Sequence, residues 1–164
     1  AEISAGPRGE VRGPFLALIH TPALARHMQA LGEHLRWKNR LPPDLLELAV
    51  LFTARRWSCQ HEWYMHEKIA RKAGLAAHVI EALAEGREPS PMSADEALVY
   101  RASRQAHATG RLDDETFAAM CGRWGREGVL DLLVLNGYYS AMAMVLNTAG
   151  MPLPDNAAPP LKPL

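Results

Sequence analysis

The sequence predicts an all-α protein. Apolar residues recur at helical spacing in one segment after another. Residues that start and stop helices punctuate the chain between those segments. No strand-period alternation lasts long enough to build a sheet.

The elements follow in order. Residues 1–14 are rich in Gly, Pro and charge and read as an extended arm. Residues 15–20 (F-L-A-L-I-H) are short and apolar. Everything after them is helical, which favours a helical turn there over a strand. Thr21-Pro22 is a helix start, with Thr as N-cap and Pro at the first position. Leu24, Met28, Leu31 and Leu35 then mark one face of a helix running to about Trp37. Leu41-Pro42-Pro43-Asp44 breaks it and opens the next. Residues 44–56 (D-L-L-E-L-A-V-L-F-T-A-R-R) are apolar almost all round, so this helix is buried on most sides. Ser58 is placed to cap the following helix, and Gly74 to end it. Residues 76–84 form a short helix stopped by Gly86. Ser93-Ala94-Asp95-Glu96 is a capping box, opening a helix to about His107. Asp113 or Asp114 starts another, which breaks at Gly125. Residues 127–147 are the longest apolar run. Asp131, Asn136 and Gly137 interrupt it, which favours a central buried helix touching another subunit over a membrane span. Residues 152–164 are proline-rich, so helix cannot persist there. That tail is either disordered or an extended strap along a neighbour. The organisation is an arm over 1–14, a helical domain over 15–151 and a tail over 152–164.

Composition narrows the class. The 18 basic and 18 acidic residues are interspersed, so no basic stripe for nucleic acid exists. Neutrality and high apolar content suit self-association. Two distant cysteines, Cys59 and Cys121, make no disulfide framework and fit a reducing compartment. No signal-peptide pattern opens the sequence, so the expected location is the cytoplasm.

Chemistry concentrates in residues 57–74 (W-S-C-Q-H-E-W-Y-M-H-E-K-I-A-R-K-A-G). At about 100° per residue, Cys59, Glu62, Trp63 and His66 fall on one helical face, while Gln60 and His61 point elsewhere. Cys, Glu and His are costly to bury unpaired, so that face meets a cavity or a partner. Glu62 and His66 are one turn apart, and a carboxylate beside an imidazole makes the ring a usable acid or base. Glu47, from the preceding buried helix, is a second carboxylate. Two carboxylates in one dry site do not both ionise easily, which would give an acid and a base together. His20, after an apolar run, is a further pocket candidate. Cys59 is read either as a small buried residue or as a thiol with a lowered pKa at a helix N-terminus. Metal binding is disfavoured because His61 and His66 are five apart and diverge. No G-x-S-x-G is present.

The run E-L-A-V-L-F-T-A-R, followed by Q-H-E-W-Y-M-H-E-K-I-A-R-K-A-G-L, resembles the carboxymuconolactone decarboxylase family. That family belongs to the alkylhydroperoxidase D-like superfamily. The likeness is strongest over 41–83 and continues weakly to Pro154. It implies an alkylhydroperoxidase D-like helical bundle, assembled as a homo-oligomer, trimer or hexamer. In the peroxidase branch a Glu, a C-x-x-C pair and a His carry the reaction; Glu47, Cys59 and His66 match, but Glu62 replaces the second Cys. One thiol cannot close the intrachain disulfide of that cycle. A one-cysteine mechanism with an external thiol stays open. The decarboxylase branch implies a cofactor-free lyase on small carboxylated lactones of aromatic catabolism. In that reading His66 is the acid/base, Glu47 or Glu62 tunes it, and Trp63, Tyr138 and Tyr139 wall the pocket. Lactone hydrolysis and a non-catalytic binding or stress role complete the alternatives. Arg12, Arg36, Arg40, Arg55 and Arg56 are unranked candidates for holding a substrate carboxylate.

Overall fold

The computed structural model describes residues 13–163. Most of the expected arm, and with it Arg12, lies outside the described residues. Seven α-helices occur among the described residues: α1 Phe15–Leu18, α2 Pro22–Trp37, α3 Pro43–Arg56, α4 Gln60–Ala73, α5 Ala77–Ala84, α6 Ala94–Thr109 and α7 Asp114–Thr148. No strand is present among those residues. The fold is all-α.

α3 is the centre. It packs against α4, α5, α6 and α7, and ten of its residues are buried, including Glu47 and Arg55. That matches an apolar pattern with no single face. α7 packs against α3 and α6 and buries Val129, Leu132, Leu135, Met142 and Leu146. It is long and apolar enough to cross a membrane, and half of its most apolar stretch is buried inside the fold. The polar residues that interrupt that stretch have partners. Asn136 Nδ2 donates to Ser103 Oγ at 3.3 Å, and Asn136 Oδ1 accepts from buried Thr53 at 3.2 Å. These bonds tie α7 to α6 and α3. Asp131 accepts from the Arg40 backbone at 2.9 Å.

The punctuation is largely as the sequence indicates. Ser93 and Glu96 form a reciprocal capping box, and Asp113 accepts from the Thr116 amide at 2.7 Å. Gly74 closes α4 at φ 96°, a left-handed conformation that a Cβ disfavours. Gly125 breaks the path of α7 at φ 71°, ψ 177°, where two helical stretches join.

Four expectations are corrected. Thr21 and Ser58 make no cap bonds: Thr21 holds the N-cap position of α2 with Pro22 next, but its side chain makes no cap hydrogen bond, and Cys59 occupies the position before α4. Ser58 instead turns the chain at φ 46°. The buried face of α2 is Ala25, Gln29, Gly32 and Leu35, one residue round from the leucine face. Small Ala25 and Gly32 let the helix approach its neighbours, and Leu24 and Leu31 are left exposed. The tail, as far as it is described, straps its own chain. The Gln60 side-chain amide donates to the Leu161 carbonyl and accepts from its N–H, both at 2.9 Å, and Leu161 is buried.

The strap predicts its own weak points. Leu161→Ala should cost about 2 kcal/mol, the low end for a buried leucine, because a terminal segment can peel away alone. Gln60→Ala should act in the same direction. Urea unfolding with limited proteolysis of the tail checks this. An unchanged midpoint with an uncut tail would show that these contacts do not hold it.

Candidate active site

The turn between α3 and α4 creates the site. The chain reverses over Trp57 and Ser58, so the two helices pack side by side. Glu47 on α3 then meets His66 on α4. His66 Nδ1 lies 2.7 Å from Glu47 Oε2, with both side chains buried. A carboxylate oxygen only accepts, so Nδ1 carries the proton and Nε2 is the ring nitrogen left for other contacts. The Tyr139 ring meets the imidazole edge-on, with centroids 4.9 Å apart at 85°. Tyr138 in turn packs edge-on against Tyr139 at 5.3 Å.

Glu62, one turn before His66, is 3% exposed, and its Oε1 has no hydrogen-bond partner. Burial, then the charge of Glu47, pushes its carboxyl well above the usual carboxylate range. Its protonated form, a hydrogen-bond donor, is thereby favoured over the anion. Two carboxyl groups have been driven into different roles. One is paired to an imidazole; the other is biased toward its protonated form by burial and by the neighbouring Glu47.

Glu62, His66, Tyr138 and Tyr139 share the wall of a cavity of about 420 Å³. That volume is in the range of small-molecule sites. Met65, Ile69, Met142 and Leu146 give it an apolar lining. Arg36, half-buried on α2, brings a guanidinium to the wall. Gly13, Pro14 and Pro154 border it from the segments flanking the helices. His61 also lines it, with Nδ1 donating to the Pro152 carbonyl at 2.8 Å. Among the described residues, no three His, Cys, Asp or Glu side chains are grouped to hold a metal ion.

Four candidates are not on the cavity wall: Glu47 stands behind His66 on α3, and Trp63, His20 and Cys59 lie elsewhere. Trp63 is 1% exposed and packed in the core, with its indole N–H donating to Glu67 at 3.1 Å. It stands one residue past Glu62, and that rotation carries it from the cavity wall into the core. His20 is exposed and does not line the cavity, because α1 ends before it. Cys59 is fully buried against Ala143 and Leu146. Burial, then the nearby charge of Glu62, pushes its thiol up to about 12, opposite to the lowered value expected at a helix start. Desolvation outweighs the backbone N–H bonds that favour the thiolate.

The structure also separates the arginines. Arg40 is paired at the surface with Glu127, and Arg56 lies over Trp57. Arg55 lines a different cavity. Arg36 alone among the described candidates reaches this one. On α4, sequence reasoning missed His61, Met65 and Ile69, and Tyr64 and Lys68 beside them. Their spacing of four, together with Glu62–His66, was the available signal: the lining of α4 is a stripe one residue wider than the face of Cys59 and Trp63.

Comparison with known proteins agrees with the fold. The model of the carboxymuconolactone decarboxylase family matches residues 22–109, more than half of the chain and inclusive of Glu47, Glu62 and His66. No curated protein matches the chain.

The raised carboxyl makes a signed prediction. Glu62 has a folded-state pKa above its ordinary 4.5, so its contribution to stability is greatest in acid. It is lost as pH rises from about 4.5 toward the raised value, because the unfolded chain ionises first. Glu62→Gln removes that loss. The stability of the variant relative to the native protein should therefore grow between pH 4.5 and pH 7.5 in urea unfolding. A constant gap across that window would mean that Glu62 is ionised in the fold.

Proposed function

The chain belongs to the carboxymuconolactone decarboxylase family, and on that premise we propose that it is an acid/base lyase acting on a small carboxylated lactone, using its own side chains alone. One observation carries the reading: a buried carboxyl pushed toward its protonated form and a carboxylate-paired imidazole face the same mostly apolar cavity, with one guanidinium at its wall.

Each group has a task in that chemistry. Arg36 holds a substrate carboxylate that is retained, fixing the lactone's orientation. A second carboxylate leaves as carbon dioxide from the apolar part of the cavity. Its C–C bonding pair passes into the unsaturated lactone carbonyl, giving a dienolate. Glu62 donates a hydrogen bond to the oxygen where that charge develops. The protonated His66 delivers a proton to carbon from Nε2, held in place by Glu47 at Nδ1. Solvent restores the proton afterwards. Tyr138 and Tyr139 exclude water around the imidazole, which strengthens these interactions.

Lactone hydrolysis is the second reading. A ring with Nδ1 donated to Glu47 and Nε2 toward the cavity is also arranged to take a proton from water. Peroxide reduction by Cys59 has weaker support. The thiol is buried beyond the cavity wall, its pKa is about 12, and Cys121 lies on another helix. Association as a trimer or hexamer fits the outward apolar row Leu130, Val134 and Met144 on α7.

The test is turnover on a panel of carboxylated lactones, plain lactones, β-keto acids and hydroperoxides, followed by carbon dioxide release and by product. His66→Ala should lower kcat/KM about 10²- to 10⁴-fold. Arg36→Met should raise KM and leave kcat nearly unchanged, because its contact is uniform through the reaction. Cys59→Ser should leave turnover intact. Ring opening without carbon dioxide would favour the hydrolase. No turnover by the native protein on any of the panel would favour a binding role.

A further inference from the structure

A second cavity lies on the other end of α3. It encloses about 180 Å³ and shares no lining residue with the candidate active site. Three of its lining side chains are guanidinium groups: Arg55, Arg56 and Arg87. Among the described residues, no acidic side chain lines it. Phe52, Leu83 and Tyr100 form the apolar remainder, with Phe52 and Tyr100 packed edge-on at 5.3 Å.

Arg55 is the unusual member. It is 5% exposed, and its Nε and Nη1 have no hydrogen-bond partner among the described residues. A buried guanidinium without an anion is among the costliest arrangements in a folded chain. The rim groups do not relieve it. Arg87 is exposed and paired with Glu85 outside the cavity, and Arg56 is exposed over Trp57. His107, whose Nε2 is 3.0 Å from Thr53 Oγ1 and whose ring packs on Phe52, adds no negative charge.

We propose that this cavity is a binding site for a small oxyanion, phosphate or carboxylate, with Arg55 as its buried anchor and Arg56 and Arg87 closing over it. Planar guanidinium forks suit both anions, since each presents paired oxygens. The apolar walls leave room for a small organic body beside the anionic group. Two sources present that chemistry: a free anion from solution, and a carboxylate side chain from a second copy. The rim favours the free anion. It is charged, and most of the exposed large apolar side chains are on α1, α2 and the outer face of α7. The middle of a protein interface is depleted of charge and richer in apolar surface.

The experiment is a thermal-unfolding titration of the full chain with inorganic phosphate and with benzoate, against sodium chloride at matched ionic strength. The native protein should show a saturable rise in Tm with phosphate or benzoate, above the chloride response. Arg55→Met should abolish the rise, and in anion-poor buffer it should melt at or above the native temperature, because it removes an unpaired buried charge. The double variant Arg56→Ala/Arg87→Ala changes only exposed side chains, so it serves if Arg55→Met does not fold. It should bind about tenfold more weakly or worse. A rise no larger than that with chloride, or one that survives in both variants, overturns the proposal. So does sedimentation in phosphate-free buffer showing an oligomer that either variant dissociates, since the anion would then be a second copy's carboxylate.

Discussion

The structure depends on a single buried contact, the 2.7 Å approach of Glu47 and His66 across the α3–α4 interface. An acidic side chain in the most enclosed helix of the fold is tenable only with a donor facing it. That donor comes from a helix reversed by the short turn at Trp57 and Ser58. The pairing therefore fixes the register of α4 against α3. Register in turn decides which residues of α4 look inward. Glu62 and His66 face the cavity, Trp63 is turned into the core, and Glu67 is left to bond the indole from the side.

Burial is the common cause of the site's electrostatics, and it treats its residues unequally. Glu62 and Cys59 are both pushed toward their neutral forms by desolvation. For a carboxyl this yields a usable acid in the cavity. For a thiol it yields an inert side chain packed on α7. The same physical term thus favours proton transfer and disfavours sulfur chemistry within one turn of chain. Tyr139 follows the same rule: burial raises its phenol, so beside the imidazole it is a wall and a neutral donor.

The helices were legible in the sequence because their starts, stops and apolar spacing are local properties. Ser93 with Glu96, Asp113, Gly74 and Gly125 each act on their own few residues, and each is found where that logic puts it. Glu47 stood out as the one acid in the body of an otherwise apolar helix, and it is buried. Helix faces were harder. Leu24 and Leu31 of α2 point outward because Ala25 and Gly32 permit a closer approach, a fact about the neighbour rather than the pattern. Trp63 differs from expectation for a related reason: on α4 one residue separates cavity from core, and helical spacing alone does not resolve that step. The thiol of Cys59 misled because a helix start and a dry environment pull its proton in opposite directions, and only coordinates show which is stronger. Arg36 and the tail could not be ranked, since both act through contacts far away in the chain.

The cavity has two kinds of wall. Its titratable groups stand on α4 and against α3 and α7, inside the packed bundle, whereas Gly13, Pro14 and Pro154 at its border belong to irregular backbone. Substitutions in the helices disturb the core, whereas Pro14 and Pro154 at the border are only half-buried. A lineage could therefore alter what is admitted by editing a few non-helical positions while its reactive centre stayed untouched. Such a division makes new specificities cheap to explore and new chemistries expensive. It gives a physical route by which one scaffold diversifies its diet without rebuilding its machinery.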